Sequence, residues 1–265
     1  MDGARPIVNS RNRPRRKEND MKILYFDCVS GISGDMTLGA LIDLGIDEKR
    51  FQSELQKLPL GGYKVIISKK AKGSIMGTDV DVVITEDVKD LHERNLKEIM
   101  AIIESSGLSV SAKNFSKKVF LEIAAAEAKV HGKKADEVCF HEIGAIDSIV
   151  DIVGTAVCLD LLGAQKVYAS GLCDGRGSIR CRHGIIPVPV PAVMQMLSGS
   201  SIPFRQTDIA TELITPTGMG IIKCLSAGFG SMPEMEITRV GYGTGKKEYN
   251  GPGVLRIVMG TVTDN

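Results

Sequence analysis

Residues 26–36 read FDCVSGISGDM, and this stretch decides how the first part of the chain folds. It follows the apolar run 23–26, which predicts a buried strand, and it precedes residues 36–44, whose apolar residues have helical spacing. A strand, a loop of glycine and serine, and a helix start direct several backbone N–H groups toward one point, which suits an anion. Asp27 and Asp35 bracket the loop and would repel a bare phosphate. The stretch therefore predicts a site for a phosphate accompanied by a metal ion, or for a metal ion alone.

The loop supplies the first candidate residues. Asp27 and Asp35 are candidate catalytic carboxylates. The small residues between them are candidates for binding a phosphate-bearing ligand: Ser30, Gly31, Ser33 and Gly34.

Composition excludes several classes of function. The chain has 265 residues, of which 43% are hydrophobic and 25% charged, as in an ordinary globular protein. The first twenty residues contribute +3 to the net charge of +1, so the remainder carries −2 and gives no argument for nucleic acid. No stretch approaches the roughly 18 apolar residues that a membrane span needs. Six cysteines without a secretory signal predict reduced thiols and a cytoplasmic protein.

The order of elements predicts an α+β fold, with a mixed sheet, a central helical segment and a strand-rich C-terminal third. Regular alternation of strand and helix is missing, which disfavours a doubly wound sheet. We divide the chain into a disordered basic tail (1–20), an α/β unit (21–90), a helical segment (91–165) and a strand-rich segment (166–265). Strands are expected at 22–27, 63–71, 75–85, 166–169, 178–182, 236–241 and 254–261, and helices at 34–45, 47–58, 96–104, 112–130, 146–162, 189–198 and 216–225.

A second acidic motif begins the helix predicted at 146–162. Asp147 and Asp151 are four residues apart, so a helix places both on one face. The helix is apolar nearly all round and should be buried, where carboxylates are costly unless paired, hydrogen-bonded or metal-bound. Both are therefore candidate catalytic residues. The alternative for Asp147 is a helix cap, whereas Asp151 lies too far inside the helix for that.

Two Cys-x-His pairs could bind a metal ion. Cys139 with His141, and Cys181 with His183, would each place thiolate and imidazole on one face of an extended segment, ligands that suit nickel or zinc. Glu142 beside His141 joins these candidate ligands. The alternative is that the cysteines are small buried hydrophobes.

Two further segments could bind a phosphate. The glycine-rich turn 171–178 contains Arg176, and Arg180 follows on a predicted strand. Thr215 is predicted to cap a helix that begins at Pro216, and Thr217 lies in its first turn, where free N–H groups attract anions. The alternatives are a plain hairpin, a solvated strand face and a plain helix cap.

Five stretches, in order, resemble the LarC family of nickel insertion proteins. They are FDCVSGISGDMTLGALIDLG (26–45), FHEIGAIDSIVDIVG (140–154), HGIIPVPVPAV (183–193), ELITPTG (212–218) and VGYGTG (240–245). The resemblance runs from about residue 21 to about residue 260. It implies a nickel chelatase of the lyase class, a CTP-dependent cyclometallase that inserts nickel into pyridinium-3,5-bisthiocarboxylic acid mononucleotide. The product would be the nickel-pincer cofactor of lactate racemase.

The resemblance also implies partners and cofactors. Nickel and CTP with Mg or Mn would be required, and the family's C-terminal nucleotide-handling domain is absent from this chain. The expected partners are therefore a separate C-terminal LarC polypeptide and apo lactate racemase. We expect no binding to nucleic acid or to a membrane, and the chain could form a homo-oligomer. Two alternatives stand beside this one: a non-catalytic metal- or nucleotide-binding subunit, and a metal-dependent phosphohydrolase that uses Asp27, Asp35 and Asp151.

Overall fold

The computed structural model describes residues 20–85, 94–134, 146–181 and 184–263. The helices are α1 (Gly34–Asp43), α2 (Glu48–Leu55), α3 (Leu96–Ser105), α4 (Val110–His131), α5 (Ile146–Leu162), α6 (Pro191–Leu197) and α7 (Pro216–Leu225). The strands are β1 (Asp20–Asp27), β2 (Tyr63–Lys72), β3 (Ile75–Ile84), β4 (Lys166–Ala169), β5 (Leu172–Asp174), β6 (Gly177–Cys181), β7 (Gly184–Val188), β8 (Phe204–Gln206), β9 (Glu236–Thr244) and β10 (Val254–Thr263). Within these ranges, no helix is long and apolar enough to cross a membrane.

A mixed six-stranded sheet in the order β2-β3-β9-β10-β1-β4 forms the centre of the fold. β10 is antiparallel to both β1 and β9, whereas β4 is parallel to β1. Strands from the first and the last segment of the chain therefore share one sheet. β5 pairs with β8, and β6 with β7, in two small separate sheets. The predicted α+β class is confirmed.

Helix α1 packs very closely on the sheet because glycines face it. A Cβ atom at Gly243 would lie 1.9 Å from the Met36 carbonyl oxygen, and one at Gly241 would lie 2.2 Å from that of Ala40. From the helix side, a Cβ at Gly39 would lie 2.4 Å from the Thr78 carbonyl oxygen. The glycines of the VGYGTG stretch thus allow the helix to approach β9, and side chains there would push α1 and the site it carries away from the sheet.

Every helix and strand that the sequence predicts is present, with ends that differ by a few residues. The sequence did not predict β5, β7 and β8, which have three to five residues each. Strands this short show no clear alternation of apolar and polar residues, and their pairing is decided by neighbours distant in sequence. The last residue of the strand predicted at 178–182 lies outside the described residues.

Candidate functional site

A cavity of about 430 Å³ lies where the N-terminal ends of α1, α5 and α7 converge. Its wall includes Ser33, Gly34 and Asp35 at the start of α1, Asp147 and Asp151 on α5, and Thr215 and Thr217 at the start of α7. The loop between β9 and β10 completes the wall with Lys246 and Lys247. Helix N-termini carry partial positive charge, so the cavity joins dipoles that favour anions with acidic side chains that favour cations or protons.

A short backbone pairing brings the starts of α1 and α7 together. The N–H of Ile32 donates to the Leu213 carbonyl (3.0 Å), and the N–H of Thr215 donates to the Ile32 carbonyl (3.1 Å). Gly31 has φ +88°, and a Cβ there would lie 2.1 Å from the Leu213 carbonyl oxygen. Only glycine fits this position without strain, so the FDCVSGISGDM loop owes its course to contacts with a segment 180 residues away.

Asp35 faces the cavity from the first turn of α1. The Ser33 hydroxyl donates a hydrogen bond to its carboxylate, so Ser33 does not cap the helix with its side chain. Burial raises the pKa of Asp35, although the hydrogen bonds from Ser33 and from the Met36 backbone oppose the rise. Burial thus disfavours the ionised form of this carboxyl group relative to an exposed aspartate.

Asp151 packs against the backbone of Gly34. A Cβ at Gly34 would lie 2.4 Å from Asp151 Oδ2, so the missing side chain leaves room for this carboxyl group beside α1. Burial, followed by the negative charges of Asp35 and Asp147, raises the pKa of Asp151 well above its usual value. Asp35 and Asp151 thus form a coupled acidic pair that favours holding a proton. Asp147 lies on the same face of α5 and is exposed.

The start of α7 follows the sequence prediction. The Thr215 hydroxyl accepts a hydrogen bond from the N–H of Gly218 (3.1 Å), and Pro216 occupies the first turn. The predicted cap is confirmed. A Cβ at Gly218 would lie 2.3 Å from the Ile32 carbonyl oxygen, so this glycine allows α7 to approach the β1–α1 loop.

The lysines of the β9–β10 loop are paired with carboxylates. Lys246 Nζ donates to Asp79 (2.9 Å) and to Asp81 (2.6 Å), while Lys247 pairs with Glu212. Asp79 also accepts a hydrogen bond from the Thr244 hydroxyl (2.9 Å). Burial would raise the pKa of Asp79, but the hydrogen bonds from Lys246 and Thr244 outweigh it and lower the pKa. The pKa of Lys246 is raised, because its two carboxylate partners outweigh its partial desolvation, so its positive charge persists at neutral pH.

Most of the described candidates meet at this cavity, and several do not. Ser30 lines the wall together with the residues of α1, α5 and α7 given above, and Gly31 lies beside it in the loop. Asp27 does not line the cavity and forms an ion pair with Arg256 of β10. Arg176 is exposed and pairs with Asp208 (3.4 Å), and neither Arg180 nor Cys181, both on β6, lines the cavity.

The predicted nickel ligands are mostly beyond what the structure describes. Cys139, His141, Glu142 and His183 lie outside the described residues. Within the described ranges, no group of three or more His, Cys, Asp or Glu side chains is arranged to hold a metal ion.

The glycine-rich turn 171–178 has an internal role that the sequence did not predict. Asp174 Oδ1 accepts hydrogen bonds from the N–H groups of Gly175 (2.7 Å), Leu213 (2.7 Å) and Ile214 (3.2 Å). A Cβ at Gly175 would lie 1.8 Å from the Thr211 carbonyl oxygen. The turn therefore wraps around the segment that leads into α7, and Asp174 holds that segment in place.

Sequence analysis also missed residues of the cavity itself. Lys246, Lys247, Glu212 and Tyr249 all line it. Their positions in the sequence could have indicated two of them, because Glu212 is the first residue of the ELITPTG stretch and Lys246 directly follows VGYGTG.

The chain is similar to known nickel insertion proteins along most of its length. The family model described as nickel insertion protein matches residues 24–265. The chain is 53% identical over 250 residues to the pyridinium-3,5-bisthiocarboxylic acid mononucleotide nickel insertion protein of Acetivibrio thermocellus, covering 92% of this chain and 61% of the relative. Proteins of the same name from Lactiplantibacillus plantarum and Geobacillus kaustophilus are 48% and 43% identical, over 90% and 92% of this chain.

The match covers most of this chain but only part of each relative. The chain spans 61% of the length of each of these three curated relatives. No solved structure matches it significantly. Because the family model matches residues 24–265, which is most of the chain, and the identities are high, the chain belongs to the nickel insertion protein family.

Proposed function

We propose that this chain carries the nickel insertion step in which pyridinium-3,5-bisthiocarboxylic acid mononucleotide becomes the nickel-pincer cofactor. The observation that supports it best is the acidic pair Asp35 and Asp151 in a cavity lined by three helix N-termini. A volume of about 430 Å³ falls in the range of small-molecule sites. The names of the relatives give the substrate, and the three helix N-termini together with Lys246 and Lys247 supply positive charge for its anionic groups.

The chemistry requires a proton acceptor. Insertion forms one nickel–carbon bond and nickel–sulfur bonds to the two thiocarboxylates, and the ring carbon loses its proton when nickel replaces it. Nickel enters as Ni²⁺ and no redox change is needed, so the balance is one metal ion taken up and one proton released. In its ionised form, a carboxylate with a raised pKa is a stronger base than an ordinary one. Asp151 is our candidate for this base, and Asp35 is its coupled partner.

The soft ligands for nickel come from the substrate in this proposal. Sulfur binds nickel more strongly than carboxylate oxygen does, which would draw the metal from the protein into the product. Cys139, His141, Glu142 and His183 remain candidate ligands for the incoming nickel. Cys181 would have to reach the cavity from β6 to take part.

Further components complete the proposal. CTP would be hydrolysed in the presence of Mg or Mn. A separate C-terminal LarC polypeptide would supply the nucleotide site. Apo lactate racemase would receive the product. A cytoplasmic location fits the described cysteines, among which no disulfide bond is present. Assembly into a homo-oligomer stays a prediction.

A reconstituted assay tests the function. The purified chain, the C-terminal polypeptide, CTP, Mn²⁺, nickel and the substrate are combined, and activation of apo lactate racemase is measured. We expect activation that disappears when either nickel or the chain is left out. Equal activation without the chain, or none with the complete mixture, would overturn the proposal. Activity from the C-terminal polypeptide and a chain that carries Asp151→Asn would reduce this chain to a binding subunit.

The phosphohydrolase alternative loses its geometric support. It needs Asp27, Asp35 and Asp151 to act on one phosphate, yet Asp27 pairs with Arg256 away from the cavity. The three carboxylates therefore do not face one common site.

A further inference from the structure

The loop between β9 and β10, residues 245–253, brings positive charge to an otherwise acidic cavity. Among the described residues of the wall, five carry carboxylates: Asp35, Asp81, Asp147, Asp151 and Glu212. The only cationic side chains in that part of the wall are Lys246 and Lys247, and both belong to the loop. An anionic ligand in this cavity would therefore depend on the loop for its charged partners.

Lys246 has one buried carboxylate partner, Asp79, and one exposed partner, Asp81, which a ligand could replace. The Asp79 carboxylate is 4% exposed and fixed by the Thr244 hydroxyl, whereas that of Asp81 is 50% exposed. An exposed ion pair contributes little, because water competes for both charges. An ammonium group has three N–H donors, so Lys246 can keep Asp79 and direct its other donors to a ligand.

The loop is also tied to the candidate phosphate-binding segments. The Tyr249 hydroxyl donates to the Ser30 carbonyl (3.3 Å), and Lys247 pairs with Glu212, three residues before Thr215. Lys72 of β2 pairs with Glu248 and also donates to the Lys247 carbonyl (3.1 Å). These contacts hold the two lysines close to the starts of α1 and α7, whose N–H groups favour an anion.

Resting on the function proposed above, we propose that Lys246 and Lys247 bind the phosphate group of the pyridinium mononucleotide. The substrate has two kinds of anionic group, and its thiocarboxylate sulfurs must be left to nickel. The phosphate is the remaining dianion, and a lysine ammonium is a compact point charge that suits it. Asp79 is then a positioning residue for Lys246, and the ring of the bound nucleotide extends toward Asp35 and Asp151.

The binding test needs neither nickel nor turnover. Nicotinate mononucleotide, a pyridinium mononucleotide, and its riboside without phosphate are titrated calorimetrically into the wild-type chain and its variants. We expect Lys246→Gln and Lys247→Gln each to weaken mononucleotide binding by about ten-fold or more, as loss of a charge-assisted contact to phosphate does. Riboside binding should stay unchanged. Lys246→Arg keeps the charge and should retain mononucleotide binding.

Lys70 provides a matched control, because it also lies beside Asp79 (3.8 Å) but does not line the cavity. Lys70→Gln should leave mononucleotide affinity within about two-fold. The assignment is overturned if Lys70→Gln weakens binding as much as Lys246→Gln, if the riboside binds as tightly as the mononucleotide, or if wild type binds neither. Phosphate-dependent binding without nickel insertion would overturn the proposed function and leave this assignment standing. If neither lysine variant affects nickel insertion, the phosphate assignment is overturned and the proposed function stands.

Discussion

Two glycine-rich turns of this molecule are alike in sequence, but the aspartate of one lines a cavity and that of the other holds the backbone in place. The stretch from β1 into the start of α1, residues 28–35, contains Gly31 and Gly34 beside Asp35, and the turn 171–178 contains three glycines beside Asp174. In the first, Asp35 faces a cavity and its pKa is raised by burial. In the second, one oxygen of Asp174 accepts hydrogen bonds from three backbone N–H groups, and Asp174 does not line that cavity. A carboxylate beside a glycine turn is thus a functional group or a structural one according to what the rest of the chain brings to it.

Separate variants that remove the carboxylates of Asp35 and Asp174 test this comparison most directly. We expect Asp35→Asn to lower cofactor formation by roughly 100-fold or more, the range for loss of an acid–base group, while the free energy of unfolding changes by less than about 1 kcal/mol. Cofactor formation is measured by activation of apo lactate racemase, and unfolding by urea titration. A variant that loses both together would assign Asp35 to a structural role at the start of α1.

Asp174→Ala should show the opposite pattern. It leaves the N–H groups of Gly175, Leu213 and Ile214 without their acceptor, which should cost roughly 2–4 kcal/mol of unfolding free energy. Asp174→Asn retains an acceptor oxygen and should recover most of that loss. If alanine and asparagine were equally destabilising, the three backbone hydrogen bonds would not be what Asp174 contributes.

The glycines of the two turns sharpen the contrast at a smaller scale. At Gly175 a new Cβ meets a backbone oxygen at 1.8 Å, whereas at Gly34 it meets the side chain of Asp151 at 2.4 Å. The Asp151 carboxyl group can rotate away, although its Cβ, at 2.8 Å, requires a small shift between the two helices. At Gly175 the contacts are with backbone oxygens and are closer, so the backbone itself must move. We expect Gly175→Ala to lose about 2–3 kcal/mol of stability and Gly34→Ala less than about 1.5 kcal/mol. Gly34→Ala should still impair cofactor formation, because it displaces Asp151, and equal stability loss at both glycines would contradict this distinction.

The last expected effect concerns the pH dependence of the free energy of unfolding. The pKa of Asp151 is raised in the folded protein, so above the unfolded-state pKa of about 3.9 the folded chain retains a proton that the unfolded chain releases. Stability from this group is therefore complete at low pH and declines as pH rises toward the folded pKa. Asp151→Asn removes that decline, so the variant should gain stability relative to wild type as pH increases from about 4 to 7. Unfolding free energies that run parallel across this range would contradict a raised pKa at Asp151.

Much of the site could be predicted because its residues belong to local patterns. The strand–loop–helix at residues 26–36, the spacing of Asp147 and Asp151, and the cap at Thr215 each depend on neighbours within a few positions, where helix geometry and capping rules apply. The sequence could not separate Asp27 from Asp35. Their distance along the chain is short, yet Asp27 at the end of β1 reaches Arg256 while Asp35 reaches the cavity.

By itself, the sequence determined the α+β class, nearly all of the helices and strands, and membership of the nickel insertion protein family. It did so because periodicity, capping and long motifs are written locally in the chain. Only the tertiary structure decided that three helix starts meet at one cavity, that Asp174 is a buried anchor, and that Lys246 and Lys247 enter the wall. These outcomes depend on the pairing of Ile32 with Ile214 and of β3 with β9, contacts between residues more than 150 positions apart. Local propensity carries no information about such pairings, which are fixed when the core closes.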